Sequence, residues 1–215
     1  MTLVTVPSSD KFPVQFKGSA FARKVLQLFG WQYVFSGLPC QQGVIIGYPH
    51  TSNWDFVVGI LIKAAIGIQV QFWAKHSLFR VPLLGPWVRS LGGVAVKRHA
   101  PGDLVDQTAT AMLEAKHHHK WYWLALAPEG TRAYQDGWRS GFYRVAQQAD
   151  VPLGIATLDY ARKTMRLQYF IRLSHDTDHD YQRINAIVSG VVGYHADQAS
   201  PVRPLASPTR TQETT

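Results

Sequence analysis

Cysteine is nearly absent. Cys40 is the only one among 215 residues, so no intrachain disulfide can form and nothing points to an oxidising compartment. Charge is sparse as well. Charged residues make up 17% of the chain against 46% hydrophobic, which excludes a disordered body and fits one domain with a substantial core. Long apolar runs are missing. The most apolar stretch, Phe56 to Trp73, is broken by Lys63, Gln69 and Gln71, whereas a membrane-spanning helix wants about 20 predominantly apolar residues. The start, Met1 to Asp10, has neither the basic nor the apolar region of a secretory signal. No Gly-x-Ser-x-Gly elbow occurs, which argues against a hydrolase of the α/β class. The expectation is a soluble or peripheral protein, cytoplasmic, at the cytoplasmic face of a membrane.

What is present leans basic and aromatic. Lys and Arg number 22 against 14 Asp and Glu, a net charge of +8, and such a surface favours nucleic acid, anionic headgroups or a phosphorylated substrate. Seven Trp and ten Phe favour the lipid option, because amphipathic aromatics suit the headgroup layer; a nucleic-acid partner is not expected. From Ser19 to Trp31 the apolar Phe21, Val25, Leu28 and Phe29 recur at helical spacing, giving an amphipathic helix either packed on the core or lying on a bilayer.

Beyond it, apolar strand-like and helical segments alternate. Strands are predicted over Val44–Tyr48, Val70–Ala74, Val94–Val96, Trp121–Ala127, Pro152–Leu158 and Met165–Leu173. Helices are predicted over Trp54–Ile66, Leu104–Lys116, Gly141–Gln148 and Tyr181–Val192, with a Pro/Gly-punctuated segment at Phe79–Gly93. Near-continuous apolar strands separated by helices indicate an α/β fold: a mostly parallel central sheet flanked by helices. Residues 1–196 read as a single domain with its core at about 40–175, and 197–215 as a flexible tail.

Two segments carry chemistry. His50 and Asp55 stand where a strand gives way to a helix, separated by the capping types Thr51, Ser52 and Asn53. With His50 on the loop and Asp55 in the first helical turn, the carboxylate can accept one ring N–H and leave the other nitrogen as a general base. A capping loop with an incidental histidine fits the same spacing. Further on, Glu129-Gly130-Thr131-Arg132 follows an apolar strand, and open α/β sheets bind ligands at strand ends. Gly130 permits positive φ, Thr131 offers a hydroxyl and Arg132 a fork suited to phosphate; a surface turn with a salt-bridged arginine is the plainer reading. Two histidine-rich stretches invite a metal. Lys116 to Lys120 reads better as a cationic helix end. His175 to Asp180 departs from calcium-loop spacing and reads as a solvated connector. No metal is expected.

Taken together, His50…Asp55 and Glu129-Gly130-Thr131-Arg132 resemble the H-x-x-x-x-D and E-G-T-R boxes of the glycerolipid acyltransferase family, whose members include the 1-acylglycerol-3-phosphate acyltransferases. The segment from Ala74 to Arg98 is similar to the family's second block, and Val151-Pro152-Leu153-Gly154-Ile155 to its fourth. The resemblance spans roughly residues 40–175. It implies direct acyl transfer from acyl-CoA or acyl carrier protein to a lysophospholipid-like hydroxyl, with His50 and Asp55 catalytic and no further cofactor. It also implies that Arg98, Glu129, Gly130, Thr131 and Arg132 bind the acceptor. Trp54, Ala127 and Trp138-Arg139 depart from the residues common in phosphatidate-forming members. They leave open a non-glycerolipid amphiphile, such as an amino-acid lipid or a pigment or polyketide-like molecule, as acceptor. A basic binding module without turnover is the competitor from another class; it predicts affinity that falls steeply with salt.

Overall fold

A computed structural model of the chain describes residues 16–96 and 101–206. Seven strands, β1 (Gln32–Phe35), β2 (Gln42–Tyr48), β3 (Gln71–Lys75), β4 (Gly93–Val96), β5 (Tyr122–Leu126), β6 (Leu153–Asp159) and β7 (Thr164–Ile171), form one sheet in the order β1-β7-β6-β2-β5-β3-β4. β6, β2, β5, β3 and β4 run parallel; β7 is antiparallel to β6, and β1 is parallel to β7. The sheet is thus mostly parallel, with two reversed strands at one edge. Among the described residues six α-helices accompany it: α1 (Ala20–Leu28), α2 (Asn53–Ile66), α3 (Leu84–Ser90), α4 (Pro101–His117), α5 (Gly141–Gln148) and α6 (Thr177–Val188).

Alternation along the strands splits the apolar side chains between two cores. Val44 and Ile46 of β2 join Leu124, Leu153 and Ile155 under α4, α5 and α6, around a fully buried Trp138. Ile45, Trp123, Leu158 and Leu167 face the other way, under α1 and α2. A parallel sheet covered on both faces needs such two-sided apolar strands. β2 is buried along nearly its whole length. Gly43 serves this packing by close approach, since a Cβ there would lie 2.3 Å from the Trp123 ring.

α1, expected either packed on the core or lying on a bilayer, buries Ala22 and Leu26 and leaves Phe21, Leu28 and Phe29 exposed. Of the tail expected at 197–215, residues 207–215 lie outside the described residues, and 197–206 are not loose: Trp138 bridges Pro204, and Ser200 is fully buried. The stretch from His175 to Asp180, expected as a solvated connector, is exposed through His179 and runs into α6. Asp176 caps α6 by accepting from the His179 N–H, and Asp180 is fully buried, accepting from Tyr143, Ser174 and Arg183.

α1 runs antiparallel along α2. The Ser19 N–H donates to the Ala64 carbonyl at one end, and at the other Trp31 meets Tyr160 edge to face. No described helix is long and apolar enough to cross a membrane.

Candidate active site

Three strand ends converge at one edge of the sheet. Tyr48 at the end of β2 pairs with Thr157 of β6, and Ile46 with Leu126 of β5. His50, Tyr160 and Glu129 each follow one of these strands by one to three residues. The topology therefore delivers them to a common region.

The first turn of α2 fixes the carboxylate. Ser52 is the N-cap, and its hydroxyl accepts from the Trp54 N–H. Asp55, three residues on, closes a capping box by accepting from the Ser52 N–H at 2.7 Å, and the same Oδ2 accepts from the Thr51 N–H at 2.7 Å. His50 Nδ1 lies 3.4 Å from that oxygen. The Asp55 side chain is 4% exposed and the His50 side chain 22%, so the acid is sealed while the imidazole keeps a path to solvent. Nδ1 carries the proton, as its carboxylate neighbour assigns; Nε2 has no hydrogen-bond partner among the described residues. Burial pushes the Asp55 carboxyl up, but the neighbouring His50, the Ser52 amide and the nearby Tyr160 phenol outweigh it and hold the group below its usual value. An ionised Asp55 is what a histidine base requires.

Glu129 is turned onto the protein's own backbone. It is 1% exposed; Oε2 accepts from the His50 N–H at 2.5 Å, and Oε1 from the Ser200 N–H at 2.9 Å. Both oxygens are thus engaged with the protein's own backbone. Burial raises its carboxyl, and the two amides and the His50 charge only partly counter this. Glu129 is a brace that fastens the His50 loop to the chain near 200.

Gly130 adopts φ +68°, as the turn demands, and a Cβ there would meet the Arg139 side chain at 2.4 Å. Gly130→Ala should lower stability by about 1–2 kcal/mol, the usual cost of a left-handed residue with a Cβ. That is a fall of about 2–8 °C in thermal midpoint by differential scanning fluorimetry. Thr131 is half-buried and its hydroxyl accepts from the Ala133 N–H. Arg132 is exposed and forms no ion pair among the described residues. Arg98 lies outside the described residues.

The segment after α6 supplies what the sequence reading missed. All three polar groups of Ser200 are used: its N–H on Glu129, its carbonyl accepting from the Tyr48 hydroxyl at 3.1 Å, and its Oγ accepting from the Gln135 N–H at 3.1 Å. The His195 N–H donates to Thr51 Oγ1, and the Trp138 N–H and carbonyl pair with Arg203 and Leu205. The strap thereby ties both chemistry-bearing loops. Tyr48, buried beside Glu129, has its phenol pushed up to about 12 by that burial and by the nearby carboxylate. Tyr160, the other residue missed, stands against Trp31 and Tyr194 with its hydroxyl sealed from solvent. Its only sequence signal was a phenol two residues past a predicted strand.

Exposed apolar side chains cluster by element: Phe21, Leu28 and Phe29 around α1, Trp54 and Val57 on α2, and Leu78, Val81, Leu83 and Trp87 between β3 and β4. No group of three or more His, Cys, Asp or Glu able to hold a metal occurs among the described residues.

A family model described as Acyltransferase matches residues 25–155. Among solved structures, the chain is similar to the 1-acyl-sn-glycerophosphate (LPA) acyltransferase PlsC from Thermotoga maritima, with a TM-score of 0.52 and 14% identity over 78% of this chain and 73% of that one. At that identity the likeness is one of fold. Comparison with curated proteins finds no match.

Proposed function

The chain belongs to the acyltransferase family, and from that premise we propose that it transfers a fatty acyl group from acyl-CoA or acyl carrier protein to the hydroxyl of a lysophospholipid such as 1-acylglycerol-3-phosphate. The observation that carries the reading is the contact of His50 Nδ1 with a buried, twice amide-bonded Asp55 oxygen. His50 Nε2 takes the acceptor's hydroxyl proton as the oxygen attacks the thioester carbonyl. The tetrahedral oxyanion collapses, the C–S bond breaks, and the thiolate leaves with the proton held by the imidazolium. The positive end of α2, two residues from His50, favours the developing negative charge. No acyl-enzyme forms in this scheme, and no cofactor beyond the thioester is invoked.

Arg132, with Thr131 and the Gly130 turn, is assigned to the acceptor's phosphate, and Arg98 joins it. An unpaired, exposed guanidinium three residues from the Glu129 brace supports this assignment. Peripheral contact with the cytoplasmic face of a membrane is supported by the +8 charge and the outward Phe21, Leu28 and Phe29. The match in fold to a protein whose description names an LPA acyltransferase favours a glycerolipid acceptor.

The test is to incubate purified protein with acyl-CoA and a panel of amphiphilic acceptors and identify products by mass. A phosphatidate mass from the 1-acylglycerol-3-phosphate sample is the expected result. Acylation of an amino-acid lipid or a polyketide-like acceptor instead would reassign the acceptor. Salt-sensitive membrane binding without product would replace transfer with binding. In the same assay, Arg132→Ala should raise the KM for the phosphorylated acceptor roughly 10- to 100-fold, the loss of a charged hydrogen bond, with the KM for acyl-CoA nearly unchanged.

A further inference from the structure

Two polar atoms in the interior remain unsatisfied beside each other. Asp55 Oδ1 and the Tyr160 hydroxyl are both sealed from solvent, and neither has a partner at full hydrogen-bonding distance among the described residues. The two groups nevertheless act on each other: Tyr160 helps hold the Asp55 carboxyl down, while burial and then Asp55 raise the Tyr160 phenol far above its ordinary value. Such orphaned buried atoms are rare in native proteins and call for a reason.

The surroundings of the ring supply one. Tyr160 follows β6 directly, and its N–H donates to the Val192 carbonyl at 2.8 Å. Trp31 packs edge-on at 4.9 Å and Tyr194 at 5.3 Å between ring centroids. The phenol is thus held by α1's end on one side and the strap on the other. The opposite oxygen of Asp55 is already taken by the Thr51 and Ser52 amides and by His50. Oδ1 is the one acceptor site left, and Tyr160 is the donor beside it.

We propose that Tyr160 is a positioning residue, donating its O–H to Asp55 Oδ1 when bound substrate tightens the site, so that the carboxylate is held in the plane from which Oδ2 orients His50. Hydrogen bonds of a resting site are often long and close only in the reacting complex. A carboxylate gripped at Oδ2 alone can pivot about that oxygen; a second donor at Oδ1 removes the pivot. The titratable groups facing this carboxylate are His50 from the loop and Tyr160 from β6, with Tyr194 behind the phenol. Glu129 reaches the site only through the His50 backbone.

This inference rests on the His50–Asp55 reading, and the experiment separates the two. Steady-state kinetics of Tyr160→Phe should show kcat about 10-fold lower, the worth of one hydrogen bond to a charged acceptor, with both KM values unchanged. In an Asp55→Ala background the same change should have no further effect on the residual rate, because the partner is gone. An active His50→Ala enzyme would sink the general-base reading itself. With His50→Ala inactive, a wild-type kcat for Tyr160→Phe, or a full 10-fold loss in the Asp55→Ala background, overturns the Tyr160 role alone. Should Tyr160→Phe fail to fold, 3-fluorotyrosine placed at 160 keeps the ring and strengthens the donor. A changed kcat at constant KM is then expected, and an unchanged kcat overturns the proposal.

Discussion

His50→Ala should lower kcat by about 10²- to 10⁴-fold, the usual contribution of a positioned general base, while circular dichroism and the thermal midpoint stay close to those of the parent protein. The separation of chemistry from folding follows from the contacts. The imidazole's ion-pair partner among the described residues is the Asp55 oxygen, at 3.4 Å, and that oxygen retains the Thr51 and Ser52 amides when the ring is removed. Asp55 is different. It caps α2, so Asp55→Ala loses stability along with rate, and only the histidine variant isolates the proton transfer. CoA release monitored with a thiol reagent gives the rate. A His50→Ala protein that keeps more than a tenth of the parent kcat would end the general-base assignment.

The second large effect is on stability. Glu129→Ala should cost about 2–4 kcal/mol, because two buried amide donors, on His50 and Ser200, lose their acceptor together. The ionised carboxylate already bears a burial penalty, visible in its raised carboxyl, which keeps the figure from being larger. For a chain of this size the midpoint should fall by about 5–15 °C, and activity should fall with it as the His50 loop is released. Glu129→Gln should lie between, since one amide keeps an oxygen while the other meets an NH₂. The pH dependence has a definite sign. A raised carboxyl contributes stability that is full below its ordinary value of 4.5 and is lost as pH rises through the folded value. A lowered one, Asp55, contributes stability that is full above its unfolded value and is lost as pH falls through the folded one. Removing Glu129 leaves Asp55 unopposed, so Glu129→Gln should lose stability more steeply on acidification than the parent. Thermal melts from pH 7 down to pH 4 test this, and parallel profiles for the two proteins would count against the sign.

Much of this architecture was legible because its signals are local. The helix at Gly141–Gln148 matches its predicted bounds, and β2, β5 and β6 differ from theirs by one or two residues; runs of buried apolar residues bounded by turn types carry enough information for that. β1 was missed since four residues of alternating exposure make only two periods, and its partner β7 is more than a hundred residues away. α3 was obscured by Gly85 and Pro86, yet proline belongs in a first helical turn, where its missing N–H has no partner to lose. For α1 the sequence left packing and a bilayer open, and one of the two residues it buries, Ala22, is too small to stand out in an apolar pattern.

The site divides in the same way. His50, Asp55 and the Gly130 turn lie within short segments whose residue types announce their geometry. The duty of Glu129 could not be read, because the donors it serves come from positions 50 and 200 and are backbone amides, which every residue has. The strap carries little hydrophobic pattern: Ala199 and Val202 pack partly on the core, and the buried Ser200 between them is held by hydrogen bonds. Asp180 was hidden likewise, since its partners Tyr143 and Ser174 come together only in the folded chain.

The strap also sets an order of events during synthesis. A nascent polypeptide that has left the ribosome only as far as α6 already has β2, β5, β6 and both boxes, but Glu129 still lacks the amide of residue 200, and Thr51 that of residue 195. The last-made stretch of the described chain therefore supplies the final amides to the loops that carry Thr51 and Glu129, and these two bonds cannot close before it is translated.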